Sequence, residues 1–256
     1  MMFSLLVISA ISTIIFMTAI FILSEYKKDA SIVDIFWGIG IIFIALLCVF
    51  YAQTYTPRQL LVTWLILIWG TRLSFQIFLR KRGKHEDPRY QAWREQWGTN
   101  YRVYSYIYIF LVQALAMIIV SYPIILINGY YTQAHVGPLD ILGLLVWVIG
   151  FAFEVIGDWQ LYSFLKKDEN KGKIMQSGLW RYSRHPNYFG ESLMWWGIFI
   201  IALSSPYGFT AIISPLTITY LLLFVSGIPL AEQQLAANPE FANYKWKTSA
   251  FFPLPP

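Results

Sequence analysis

Long apolar runs alternate with short polar ones along this chain, and seven runs are candidates to cross a bilayer: about 3–24, 32–52, 60–79, 105–127, 139–163, 189–204 and 209–230. A hydrocarbon core of ~30 Å needs roughly 20 apolar residues in helical form. The sixth run is short, and Pro215 interrupts the seventh. Alternating ten-residue strand patterns are absent, and in lipid only helices or closed barrels satisfy their own backbone groups. The pattern therefore predicts an all-α, polytopic integral membrane protein of about seven transmembrane helices in one bundle. No repeat, low-complexity tract or flexible linker divides it.

Composition agrees: 57% of residues are hydrophobic and 13% charged, whereas soluble domains carry about 25% charged residues. The opening run has no Lys or Arg before it and no small-residue cleavage site after it, which predicts a retained first helix rather than a signal peptide. Of the 19 Lys and Arg residues, all but Arg58 fall on one side of the predicted bundle. The positive-inside rule then sets the amino terminus outside and the carboxyl terminus in the cytoplasm. The long basic connections 80–104 and 164–188 face the cytoplasm in that arrangement, and the outer connections 128–138 and 204–208 carry no Lys, Arg, Asp or Glu.

Cys48 is the single cysteine, so an internal disulfide is excluded, and His85, His135 and His185 form no HxxxH pair that would suggest a metal. Charged residues inside apolar spans are costly and point to a cavity or a partner. Asp34, Arg72, Glu154 and Asp158 all fall at the predicted cytoplasmic ends of their spans. Glu154 and Asp158, four residues apart, share a helix face, and Arg72 has Asp34 or Asp158 as a candidate ion-pair partner. In the first basic connection, Arg80, Arg82 and Arg89 alternate with Tyr90, Trp93 and Trp97. Such a segment suits anionic lipid at the headgroup level, or forked donors gripping a nucleotide phosphate.

The most concentrated chemistry is GLWRYSRHPNYFGE at 178–191. Arg181 and Arg184 suit phosphate or carboxylate; Asn187 donates and accepts; Trp180, Tyr182 and Tyr188 can stack on a ring. Pro186 disfavours helix at His185, so a turn precedes the sixth span. Asn187 and Glu191 then lie one helical turn apart on a shared face.

That motif, with VDIFWG, WGTRLSFQIFLRKRG, EDPRY, GDWQLYSFLKKDENKGK and ANYKWKTSAFFPLPP, resembles the bacterial, DUF1295-like membrane proteins that carry the steroid 5α-reductase carboxyl-terminal domain. The resemblance spans about 31–256, after a first helix and inner loop at 1–30, and implies a cofactor-binding half at about 139–256. It implies an integral protein of a bacterial inner membrane, an oxidoreductase using NADPH from the cytoplasmic side to reduce an activated carbon–carbon double bond in a sterol, isoprenoid or enoyl lipid. Its partners would be that lipid-like substrate and membrane lipids, with no nucleic acid. Carried onto this chain, the cofactor pocket would draw on Arg72, Arg82, Asp158, Lys166, Asn170, Arg181, Tyr182, Arg184, His185, Asn187, Tyr188, Glu191 and Tyr244. Asp34 or Tyr188 would be the acid at the substrate carbonyl. Eukaryotic steroid reductases pair a glutamate in the second span with a tyrosine in the third; here the nearest positions are Asp34 and Trp69. No GxGxxG motif is present, so the dinucleotide site would not be a Rossmann one.

Two other readings share these residues. Isoprenylcysteine carboxyl methyltransferases also carry an Arg–His–Pro turn followed by a Glu and Tyr region, here Glu232 and Tyr244, and bind S-adenosylmethionine. A proton-coupled transporter would relay protons through Asp34, Glu154 and Asp158, but the inverted repeats of such carriers are missing.

Overall fold

The computed structural model describes residues 1–130 and 135–255 and divides into two compact units. The first contains residues 1–136 and 202–211, the second 137–201 and 212–256. Among the described residues the secondary structure is entirely helical. Six helical segments are long and apolar enough to cross a membrane: 2–27, 30–52, 57–81, 88–120, 138–165 and 208–235. The chain thus has the make-up of a polytopic membrane protein. The expected sixth span is helix Pro186–Ala202, whose 17 residues give about 26 Å at 1.5 Å per residue. Part of the expected connection 128–138 lies outside the described residues.

In the first unit, α1 (Met2–Lys27), α2 (Val33–Ala52) and α3 (Pro57–Lys81) are joined by short turns. Thr56 caps α3 with its hydroxyl on the Gln59 N–H, and the Gln59 side chain accepts from the Thr56 N–H in return, satisfying orphan donors at the helix start. The expected fourth span, 105–127, begins much earlier. Helix α4 (Pro88–Trp97) leads through α5 (Tyr101–Ser105) and a π-helical stretch, Tyr106–Leu111, into α6 (Val112–Val120). The run stops at Ser121 because Pro123 lacks a backbone N–H, and α7 (Tyr122–Gly129) restarts with that proline in its first turn.

In the second unit, α8 (Pro138–Leu165) packs backbone to backbone against α9 (Pro186–Ala202). Gly143 and Gly150 of α8 face Gly197 and Gly190 of α9. A Cβ on Gly150 would lie 2.6 Å from the Gly190 carbonyl oxygen, and one on Gly143 2.5 Å from that of Gly197. The seven-residue spacing repeats at Gly157, beside Pro186 and Asn187. Small residues at this period let two helices in lipid approach closely, and here they set the start of α9 against the last turns of α8.

The seventh span is interrupted, but not at Pro215. That residue sits in the first turn of α10 (Ile213–Tyr220), where the missing N–H breaks no intrahelical bond. A π-helical stretch, Leu221–Val225, then ends at Ser226–Gly227, ahead of α11 (Ile228–Leu235), which carries Pro229 in its first turn. Helix α12 (Pro239–Lys247) and an irregular tail to residue 255 complete the unit.

Candidate functional site

The GLWRYSRHPNYFGE segment leaves an exposed turn at Gly178, whose φ of +62° favours glycine and whose Cβ would strike the Gln160 side chain at 2.5 Å. Gln160 instead accepts the Leu179 N–H through Oε1 at 3.0 Å, and Trp180 Nε1 donates to the Gly157 carbonyl at 3.0 Å. One side chain and one backbone carbonyl near the end of α8 are thereby engaged with the short 3₁₀ turn Gly178–Arg181. Tyr182, Ser183 and Arg184 then pair with the carboxyl-terminal tail: the Leu254 N–H donates to Tyr182 O (3.0 Å), the Arg184 N–H to Ser249 O (2.8 Å), and Ser183 Oγ to Phe251 O (2.8 Å).

Arg184 is 7% exposed, and its guanidinium is committed inside this unit. Nε and Nη2 reach Glu232 Oε1 at 2.8 and 2.7 Å, and Nη1 donates to the carbonyls of Lys245, at 3.0 Å, and Thr248. Lys245 Nζ closes on the other carboxylate oxygen at 3.1 Å. His185 Nε2 lies 3.3 Å from Glu232 Oε1, and its ring stacks on Tyr188 with centroids 5.3 Å apart. Burial pushes the His185 imidazole down to about 4, against the pull of Glu232, so the ring is neutral near pH 7. Tyr244 donates its hydroxyl to Trp180 O, and burial pushes its phenol up. The sequence reading put Arg184 on a ligand phosphate; here it is the centre of a clamp joining the motif, α11 and the tail. Glu232, named only in the methyltransferase reading, is the hub of that clamp.

Beside the clamp an open groove of about 450 Å³ is lined by Gln176, Ser177, Gly178, Arg181, Lys247 and Thr248. Arg181 is exposed, and neither it nor Lys247 has a hydrogen-bond or ion-pair partner among the described residues. Lys247 was missed in the sequence; its place in KWK near the end of a short helix was the available signal. At the junction of α8 and α9, Asn187 Nδ2 donates to Asp158 Oδ1 at 3.2 Å, while Asn187 Oδ1 is shielded from solvent with no hydrogen-bond partner. Glu191, one turn on, is 9% exposed. Tyr182 is exposed; Lys166 ends α8 at the surface; Asn170 Nδ2 donates to Phe164 O at 2.9 Å, closing the loop behind it.

The remaining predicted residues belong to the first unit. Arg72 lies within α3 and donates to Gln76 Oε1 at 2.7 Å, and Arg82 follows the last turn of α3. Asp34, in the first turn of α2, accepts the Tyr90 hydroxyl at 2.7 Å and Arg89 Nη2 at 3.2 Å. The cation paired with Asp34 is therefore Arg89. Asp87 holds Arg89 from the other side at 2.9 Å; burial raises the Asp87 carboxyl, but the Arg89 hydrogen bonds outweigh it and hold it below the usual range. Lys81 and Ser31 likewise hold Asp29 low against its burial. Tyr90 is the phenol that sequence reasoning did not find beside Asp34, since 56 residues separate the two. Among the described residues, no group of three His, Cys, Asp or Glu is placed to hold a metal ion.

No solved structure matches the chain. An uncharacterized protein of Schizosaccharomyces pombe is 25% identical over 204 residues, covering 69% of this chain and 58% of that relative, so the chain spans less than two thirds of its length. The family model described as protein of unknown function (DUF1295) matches residues 20–248, and with that share of its length covered the chain belongs to the DUF1295 family.

Proposed function

We propose that this protein is a membrane-embedded, NADPH-dependent reductase of an activated carbon–carbon double bond in a lipid-like substrate. The observation that carries the reading is the pair of uncommitted cations, Arg181 and Lys247, on one open groove beside a clamp that needs neither of them. NADPH brings a pyrophosphate and a 2′-phosphate, and such anions favour forked and point-charge donors that retain free N–H groups. The orphaned Asn187 Oδ1 suits an amide or amino N–H of the same molecule. Bound NADPH would supply the hydride. The rest falls to the chain: Arg181 and Lys247 hold phosphate charge, Asn187 and Asp158 receive polar hydrogens, and Tyr188, stacked on His185 in the same unit, is a hydrogen-bond donor for an enone oxygen on which charge builds. Asp34 accepts from Tyr90 and Arg89, which leaves the donor role to Tyr188. Tyr188→Phe is expected to abolish turnover while leaving NADPH affinity unchanged; unimpaired turnover would remove Tyr188 from the mechanism. The basic asymmetry supports a cytoplasmic cofactor side.

One observation favours a methyltransferase instead: Arg184, His185, Glu232 and Tyr244, the residues of that reading, meet in one cluster. Their hydrogen bonds are spent within the cluster and on the tail, which leaves S-adenosylmethionine with little to engage. The two readings separate on thermal unfolding of the detergent-purified protein with NADPH, NADH and S-adenosylmethionine in parallel. A cognate ligand at a hundredfold excess over Kd adds about 2.7 kcal/mol. NADPH is expected to raise the melting temperature most; a rise with S-adenosylmethionine alone would replace the reductase reading.

A further inference from the structure

The first unit carries a second groove, of about 800 Å³, lined by Glu25, Lys28, His85, Glu86, Gln91 and Arg94. It lies where α1 ends and α4 begins, and part of its wall is already committed. Glu86 receives both Arg94 Nε and Nη2, at 3.1 and 2.9 Å, and the Ala30 N–H at 2.7 Å. Other groups there are not. The side chains of Lys28, exposed in a left-handed conformation after the last turn of α1, and of His85 have no hydrogen-bond or ion-pair partner among the described residues. Glu25 has a single 3.5 Å approach from Arg102, whose side chain is 76% exposed. Tyr101 is 6% exposed, its ring lies under the Arg94 guanidinium at 4.0 Å, and its hydroxyl is shielded from solvent with no hydrogen-bond partner. A buried phenol left without a hydrogen bond costs about 1–3 kcal/mol and points to a ligand.

The surroundings say what kind. Trp97 lies one helical turn beyond Arg94 and stacks on Trp93 at 5.7 Å, and Tyr104 and Tyr108 pack on its far side. Val103, Ile107 and Tyr108 beside them are exposed on a run long enough to cross a membrane. A polar groove with both charge signs thus adjoins an aromatic and aliphatic strip of the kind that lies at the headgroup level and below it.

The geometry points to a binding site for a phospholipid with a primary-amine headgroup of the phosphoethanolamine type. Lys28 and His85 meet its phosphate; Glu25 and the Tyr101 hydroxyl accept from its ammonium, which has three N–H donors; the acyl chains follow the Trp97–Tyr108 strip. A quaternary choline has no N–H for Glu25, and a purely anionic headgroup would set its charge against that carboxylate. This site is independent of the reductase reading.

The test is native mass spectrometry and thermal unfolding of the full chain in detergent doped with phosphatidylethanolamine, phosphatidylcholine or phosphatidylglycerol, with soluble phosphoethanolamine as a fourth arm. Phosphatidylethanolamine is expected to be retained and to stabilise above the other three. Glu25→Gln and Lys28→Ala, both at partly or fully exposed positions, each weaken that retention about tenfold, as for one charge-assisted hydrogen bond, with lipid-free melting unchanged. Tyr101→Phe weakens retention in the same direction and checks the buried acceptor. Equal retention of phosphatidylcholine, preference for phosphatidylglycerol, equal binding of tail-free phosphoethanolamine, or unchanged retention in the Glu25 and Lys28 variants would overturn the site.

Discussion

The two units each set a carboxylate against an arginine, and they dispose of the remaining hydrogen-bonding capacity in opposite ways. In the second unit Glu232 takes Arg184, Lys245 and His185 together, and the rest of the Arg184 guanidinium goes to the carbonyls of Lys245 and Thr248. In the first, Asp34 takes one guanidinium nitrogen and a phenol, and the paired side chains remain about one-third exposed, at 34% for Arg89 and 30% for Asp34. A guanidinium with each of its three nitrogens answered by protein is a structural pin, however suggestive its motif. The side-chain donors left over in the second unit are its neighbours Arg181 and Lys247.

Breaking the pin has the largest expected effect. Glu232→Ala leaves the buried Arg184 charge without its carboxylate, at a cost of about 3–5 kcal/mol. Arg89→Ala, by contrast, leaves Asp34 with Tyr90 and partial solvent, and costs about 1–2 kcal/mol. Chemical unfolding of both variants in the same detergent sharpens the comparison, and equal losses would erase it. Next in size is Gly150→Leu, which sets a side chain against the Gly190 carbonyl and is expected to cost about 1–3 kcal/mol through overpacking, read as a lower melting temperature with loss of NADPH binding.

Acid acts on both clusters in the same direction. His185 takes up a proton at about 4 in the folded chain and at its usual value near 6.5 when unfolded. The unfolded state therefore binds more protons between those values. This contribution to stability is fully present above pH 6.5 and is lost as the pH falls towards 4, up to roughly 3 kcal/mol. Asp29 and Asp87, held low, add a loss at still lower pH. In His185→Gln, unfolding midpoints should no longer fall between pH 6.5 and 4, while the decline at lower pH persists.

Much of the fold could be read from the run of apolar residues, because span length and Gly/Pro punctuation are local properties. The spans at 32–52, 60–79 and 139–163 fall within α2 with its preceding turn, α3 and α8. The interruption assigned to Pro215 lies at Ser226–Gly227, since a proline breaks a helix only where an N–H is needed. The site was less legible. Its motif was visible as a dense polar stretch, but the Arg184 donors are consumed by residues 48 to 64 positions away, and Tyr90 reaches Asp34 across 56. Spacing within a motif carries no information about such partners. The glycine period of α8, at 143, 150 and 157, was in plain sight, and acquired meaning once Gly190 and Gly197 were found against it.

The central claim, that the uncommitted cations rather than the motif's buried arginine hold the cofactor, rests on one comparison. Arg181→Ala/Lys247→Ala should melt at the temperature of the unaltered protein and bind NADPH about a hundredfold more weakly, as expected for two lost charge-assisted hydrogen bonds. Unaltered NADPH affinity in that folded double variant would contradict the claim.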